Sequence, residues 1–307
     1  MMYLVPALDK ADDTPVPGSA DWMMRLPDDK PLSEVVIPGT HDSATQYVQL
    51  GYFSKCQDFS IAQQLEKGYR YLDIRLGVDG DRLKLMHGFT ACTEGGWPWS
   101  RALYLDGVLD DCIGFLKAHP SEIVLFVVKQ EHGSESVSDF QRLLCTYIEK
   151  DPDMWLLTDG IPTVGEARGK IVLLRRYNDE AVLGLPAGVP HIWIKQKGYD
   201  DVSLDTVAAD NGTYILWAQD RYEYGAEDKW TAFVNGMKKA ETGPDSAALN
   251  YLSTKGTSTY GHPYKYAKIL NKRLMETDMS ELRGWIIVDY ASAAIAEHIY
   301  GANFMEP

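Results

Sequence analysis

GWIIVDY, residues 284–290, decides how this chain folds. Four apolar residues, three of them β-branched, run without a polar interruption. Such a run reads as a strand buried on both faces, as in a sheet covered by helices. Asp289 and Tyr290 then follow at once, so the strand ends in residues able to do chemistry. Working outward, the same pattern recurs in EVVIP (34–38), YRYLDIRL (69–76), LKLMHG (83–88), IVLFVVK (123–129), KIVLLRRY (170–177), YILWAQD (214–220) and ALNYLST (248–254). That gives eight candidate strands.

Helical patterns separate several of them. FSIAQQLEKG has Ser60 placed as an N-cap and Gly68 as a stop. LYLDGVLDDCIGFLKAHP carries apolar residues at three- and four-residue spacing and ends before Pro120; ESVSDFQRLLCTYIEKDP, DKWTAFVNGMKKAETG and YKYAKILNKRLMET read similarly. Eight strands alternating with helices predict an α/β fold, a single distorted (β/α)8 TIM-type barrel. A doubly wound open sheet is the alternative. It calls for a Gly-rich nucleotide turn after the first strand, and PGTHDS is not one. No repeat, low-complexity segment or linker divides the chain. One domain over 1–307 is expected, with 1–30 an extension packed on or near the barrel.

The 307 residues include 30 Lys+Arg against 44 Asp+Glu, a formal net charge of −14. Such a chain repels nucleic acid and anionic membranes at long range, so any lipid contact must be local. The longest apolar run, IVLFVV (123–128), is too short to span a bilayer. The start, MMYLVPALDK, lacks a basic n-region, so the expectation is a cytosolic protein or a mature secreted form. Cys56, Cys92, Cys112 and Cys145 show no metal-type spacing. Cys112 falls on an apolar helix face and is expected in the core; Cys56 and Cys92 lie in loop-like sequence, where a bridge is open.

Seven of the eight strands end in reactive side chains: His41 and Asp42, Asp73 and Arg75, His87, Lys129 and Glu131, Arg176, Asp220 and Tyr222, Asp289 and Tyr290. In a barrel these ends meet at one mouth. Singly, each has a plainer explanation. His41 can be a loop histidine, Arg75 a rim ion pair with Asp73, Lys129 and Glu131 a solvated edge. Asp289 can simply cap the helix that starts near Ala291. Together, on one rim, they suggest a site. Two histidines supply a base and an acid near neutrality. An arginine beside them suits charge developing on phosphorus-bound oxygens. Carboxylates behind histidines fix their tautomers. With no evident serine or cysteine nucleophile, in-line displacement by a substrate hydroxyl or water is favoured.

IPGTHDS (37–43), YLDIRL (71–76), MHG (86–88), HPSEIVLFVVKQE (119–131), ARGKIVLLRRY (167–177), AQDRY (218–222) and GWIIVDY resemble, in order, the bacterial phosphatidylinositol-specific phospholipases C, the X-domain family. The resemblance covers roughly residues 33–300 and is weakest before residue 30, in TACTEGGWPWSRA (90–102) and over 178–212. It implies a distorted barrel and a phosphatidylinositol diacylglycerol-lyase. His41 would be the base on the inositol 2-hydroxyl, oriented by Asp289. His87, supported by Asp42, would be the acid for the diacylglycerol oxygen. Arg75, held by Asp73, would stabilise the phosphorane. Lys129, Glu131, Arg176 and Asp220 would bind inositol hydroxyls, with Tyr222 against the ring. The products would be diacylglycerol and inositol 1,2-cyclic phosphate, which is hydrolysed more slowly.

The resemblance further implies no cofactor and no metal, phosphatidylinositol in membranes as the partner, myo-inositol as a headgroup ligand, a monomer, and a secreted, extracellular protein. Trp97 and Trp99, in the long loop after His87, either contact the membrane or pack inward. Two other functions are weighed: an inactive X-domain that only binds headgroups, and a barrel phosphodiesterase of the glycerophosphodiesterase type. The first expects a lost histidine, yet His41 and His87 are both present. The second expects metal-binding acids near the first histidine, where Asp42 stands alone.

Overall fold

The computed structural model describes residues 14–96, 100–132, 135–177, 188–195, 206–239, 241–258 and 261–305. The strands are β1 (Ile37–Thr40), β2 (Tyr71–Asp79), β3 (Arg82–His87), β4 (Thr90–Ala91), β5 (Val124–His132), β6 (Trp155–Leu156), β7 (Ile171–Arg175), β8 (Val189–Pro190), β9 (Val207–Asp210), β10 (Ile215–Gln219), β11 (Ser246–Tyr251) and β12 (Trp285–Val288). The helices are α1 (Gly51–Ser54), α2 (Ile61–Glu66), α3 (Leu105–Ala118), α4 (Val137–Ile148), α5 (Val164–Ala167), α6 (Ala226–Lys239), α7 (Pro263–Met275) and α8 (Ala293–Gly301).

The sheet runs β6-β7-β5-β2-β1-β12-β11-β10-β9, and every neighbouring pair is parallel except β9 with β10. This is the expected α/β, TIM-type barrel, and it is distorted. Among the described residues the strand ladder does not close. β8 pairs with β7, and from there the gap to β10 is crossed by side chains. The His191 ring meets the Tyr214 hydroxyl at 2.8 Å, and Ile192 N–H donates to Asn211 Oδ1 at 2.9 Å.

One of the eight expected strands is not in the parallel wall. LKLMHG forms β3, which pairs antiparallel with β2. The reason is chain length. Asp79 and Arg82 are register partners, and the turn between them contains Gly80 at φ +64°. A parallel return needs a crossover of a dozen residues or more, so so tight a turn can only make a hairpin. The helices fall where the spacing predicts them. Ser60 and Gln63 form a capping box at α2, and Gly68, at φ +102°, follows its end.

Alternation along the strands sets the interior. Tyr71, Asp73 and Arg75 share one face of β2, while Leu72, Ile74 and Leu76 pack outward with Leu105, Leu109 and Leu116 of α3. The Tyr71, His191 and Trp285 rings meet inside, with centroids 5.7–5.9 Å apart. On β1 the interior position is Gly39, where a Cβ would stand 2.4 Å from Ile287 Cδ1 and 2.8 Å from Tyr71 Cβ; only glycine fits there. At the opposite end from the mouth, Arg70 and Glu122 form a fully buried ion pair. Trp22, from the segment before β1, stacks on Tyr300 at 5.1 Å.

Candidate active site

The same alternation that buries Ile37, Tyr71, Leu125 and Trp285 brings every second residue onward to the C-terminal rim. His41 and Asp289 lie just past the ends of β1 and β12, and Arg75 and Lys129 follow at the same two-residue spacing along β2 and β5, with Glu131 one step further. Two left-handed residues complete the geometry. Asp42 (φ +44°) follows His41, and Tyr290 (φ +50°) follows Asp289. Strain of this kind persists only where surroundings hold it, and it concentrates at functional sites. Tyr290 is held by its N–H on Cys56 O at 2.6 Å and its hydroxyl on Lys55 O at 3.0 Å.

His41 Nδ1 lies 2.8 Å from Asp289 Oδ1, and its Nε2 lies 3.4 Å from Asp42 Oδ2. Asp289 does not cap the following helix, because Ser292 Oγ accepts the Ile295 N–H at 3.3 Å in that role. Burial, then the Arg75 charge, pushes the His41 imidazole well below its ordinary value, so it stands neutral. Donating Nδ1–H to Asp289 leaves the Nε2 lone pair facing the mouth, which is the form a base requires.

His87 is set up differently. Its Nδ1 lies 2.6 Å from Ser54 O, and its Nε2 lies 3.3 Å from Asp42 Oδ2. Ser54 O can only accept, so Nδ1 carries the proton of that bond, and Nε2 is the nitrogen turned to Asp42 and the mouth. The two rings stand 6.3 Å apart and nearly perpendicular, with Asp42 Oδ2 between them.

Arg75 is buried, not a rim residue. It lies 2.8 Å from Asp42 Oδ2 and 2.8 Å from Asp73 Oδ2, with Glu131 Oε1 at 3.5 Å. Burial alone would raise Asp73, but Arg75 and then Arg176 hold it well below the usual carboxylate range. Glu131 is likewise buried, and despite that burial Arg75 and the paired Lys129 bring it down to about 2. It is therefore no solvated edge. Burial pushes Asp42 up while Arg75 pulls it down. Arg176 stacks on the Trp193 ring at 3.6 Å and donates to Asp220 Oδ2 at 3.3 Å; Trp193 Nε1–H donates to the same oxygen at 2.9 Å. Tyr222 joins through Lys195, whose Nζ lies 5.2 Å from its ring centre.

All eleven expected catalytic and substrate-binding residues thus gather at one mouth. Trp97 and Trp99 lie outside the described residues. Sequence reading missed Ser54, Cys56, Trp193 and Lys195. Lys195 is mostly buried, and that burial lowers it to about 8, with Asp220 opposing and the Arg176, Arg75 and Lys129 charges adding to the fall. His41, Asp42 and Cys56 offer ligand atoms within 4.8 Å of one another, close enough to hold an ion. The donor set suits a cation poorly: the Arg75 guanidinium already stands 2.8 Å from the Asp42 oxygen, and Asp289 occupies His41 Nδ1. The four cysteines are free thiols, with Cys112 in the core as expected. Among the described residues, no helix is long and apolar enough to cross a membrane.

Comparison with known proteins points the same way. The model of the phosphatidylinositol-specific phospholipase C X domain matches residues 28–177. A 1-phosphatidylinositol phosphodiesterase of Staphylococcus aureus is 29% identical over 299 residues, covering 92% of this chain and 91% of its own length. The Listeria monocytogenes enzyme of the same name is 28% identical, covering 92% and 84%. A crystal structure of the S. aureus phosphatidylinositol-specific phospholipase C superposes with a TM-score of 0.76 at 26% identity, over 92% of this chain and 97% of that one. The Listeria structure shares the fold at TM-score 0.70 over 93% and 98%.

Proposed function

We propose that the chain is a phosphatidylinositol-specific phospholipase C, the family whose X-domain model matches residues 28–177, and that it cleaves phosphatidylinositol to diacylglycerol and inositol 1,2-cyclic phosphate. The observation that carries the reading is the pair of histidines on either side of Asp42, His41 with Nδ1 on Asp289 and His87 with Nδ1 on Ser54 O, each turning Nε2 to the same carboxylate.

His41 Nε2 takes the proton from the inositol 2-hydroxyl, whose oxygen attacks phosphorus. The bond to the diacylglycerol oxygen breaks in line, and that oxygen leaves with the His87 proton. Arg75 offers its planar fork to the phosphorane oxygens and cannot lose its charge. Asp289 fixes the His41 tautomer, and Asp42 and Asp73 hold Arg75 in place. In the slower second step the roles reverse: His87 activates water and His41 returns its proton. Lys129, Glu131, Arg176 and Asp220 bind the inositol hydroxyls, and Tyr222 covers the ring. Glu131 and Asp220 suit neutral hydroxyls and repel further phosphates, so an unphosphorylated headgroup is preferred.

Arg75 supplies the charge that a metal would otherwise bring, and catalysis proceeds without one. The protein works as a monomer and meets its lipid peripherally, outside the cell. That location is checked by its distribution between culture medium and cells. Phosphorus NMR of phosphatidylinositol vesicles with enzyme and excess chelator tests the function. Inositol 1,2-cyclic phosphate as the first product supports it. A glycerol-phosphate product, activity lost to chelator, or binding without turnover contradicts it.

A further inference from the structure

The ladder between β1 and β12 ends at Thr40 and Val288, one residue short of His41 and Asp289. His41 N–H still donates to Val288 O at 3.0 Å. In a continuing parallel ladder the Tyr290 N–H would donate next, to His41 O. The left-handed turn at Tyr290 sends it to Cys56 O at 2.6 Å instead. His41 O therefore loses its rung at the point where the two strands present their side chains to each other. One side chain fills the place. Gln57 is fully buried, and its Nε2 donates to His41 O at 2.9 Å and to Val288 O at 3.0 Å, while its Oε1 accepts the Ala291 N–H at 3.1 Å. A carbonyl only accepts and a backbone N–H only donates, so these three bonds also fix which way the amide faces. From α7, Asn271 Nδ2 holds the same turn at Asp289 O (2.9 Å) and Tyr290 O (3.2 Å). Gln57 joins that turn to the end of β1.

We propose that Gln57 is a positioning residue for the reaction: its amide stands in for the broken rung and fixes the distance between the His41 and Asp289 backbones, so that Asp289 Oδ1 stays on His41 Nδ1 at 2.8 Å. The carbonyls it bridges belong to His41 itself and to the residue before Asp289. The N–H it accepts lies two residues beyond Asp289. A pair assembled from two strands is only as exact as the distance between those strands, and a displacement of about 1 Å can cost about 10²-fold in rate. Gln57 acts through backbone and does not act on the substrate. The proposal rests on His41 being the base.

The test measures kcat and KM on phosphatidylinositol for Gln57→Met, which keeps the length of the side chain and loses all three bonds. It should lower kcat about ten- to a hundred-fold with KM little changed, because the inositol contacts stand on other strands. In an Asp289→Ala background the same substitution should cost little more, since the pair it aligns is already gone. Proton NMR gives a readout apart from activity: the His41 Nδ1 proton, assigned by its loss in His41→Ala, should shift or broaden in Gln57→Met. Gln57→Glu keeps the acceptor for Ala291 and offers the two carbonyls one proton at most. It should lower kcat in the same way, and it carries the test if the Met variant does not fold. Equal fold-losses in the wild-type and Asp289→Ala backgrounds, an unmoved His41 proton, or a raised KM at full kcat would overturn the proposal. The base reading fails separately, if His41→Ala keeps full kcat.

Discussion

Lys195 is the residue whose titration the site exposes most directly. Its Nζ sits beside Tyr222, among the Asp220, Arg176 and Lys129 charges, with a value lowered to about 8 chiefly by burial. If its positive charge helps hold the substrate, kcat/KM falls as pH rises through about 8, and Lys195→Met removes that step while lowering activity below it. Measuring kcat/KM from neutral pH upward in both proteins checks this; an identical step in the variant would refute it. Stability moves the opposite way. The charged lysine is disfavoured in the fold, so the cost is full below about 8 and is relieved between there and the ordinary lysine value. Lys195 was not legible in the sequence, because it lies within 178–212, a segment that matches no motif. His41, Arg75, His87 and Asp289 were legible, because each closes a strand pattern. Cys56 was not: a lone cysteine in a loop looks the same whether it faces solvent or is buried beside a site.

At the scale of elements, the parallel wall was readable because apolar runs mark doubly covered strands. β3 misled for the same reason: a short apolar run does not reveal its direction, and only the tight turn at Gly80 does. The lipid contact was harder to read. Trp97 and Trp99 fall outside the described residues, but the mouth is flanked by other exposed apolar groups. Leu50, Tyr52 and Phe53 lie at α1, Phe89 stands two residues past His87, and Ile194 lies between Trp193 and Lys195. Phe89 is 75% exposed and Ile194 77%, more than any packing role needs. Phe89→Ser with Ile194→Ser should weaken vesicle binding several-fold while sparing a water-soluble inositol phosphodiester. Sedimentation with vesicles measures the first and a soluble assay the second; equal loss in both would assign these residues to the fold.

Across the whole molecule, the net charge of −14 leaves long-range attraction to anionic lipid out of the account. Recognition therefore rests on the mouth, where acids and bases are closely paired around the two histidines. Fold and site were legible together because a barrel carries one residue from each strand end to one rim. The central claim is the division of labour between His41 and His87. It is tested most directly by replacing the diacylglycerol leaving group with 4-nitrophenolate, which departs without a proton. His41→Ala should lose about 10²–10⁴-fold on both substrates, as expected for a removed general base. His87→Ala should lose as much on phosphatidylinositol but recover most of its activity on the nitrophenyl ester. Equal loss of both variants on the nitrophenyl ester, or rescue of His41→Ala instead, would contradict the assignment.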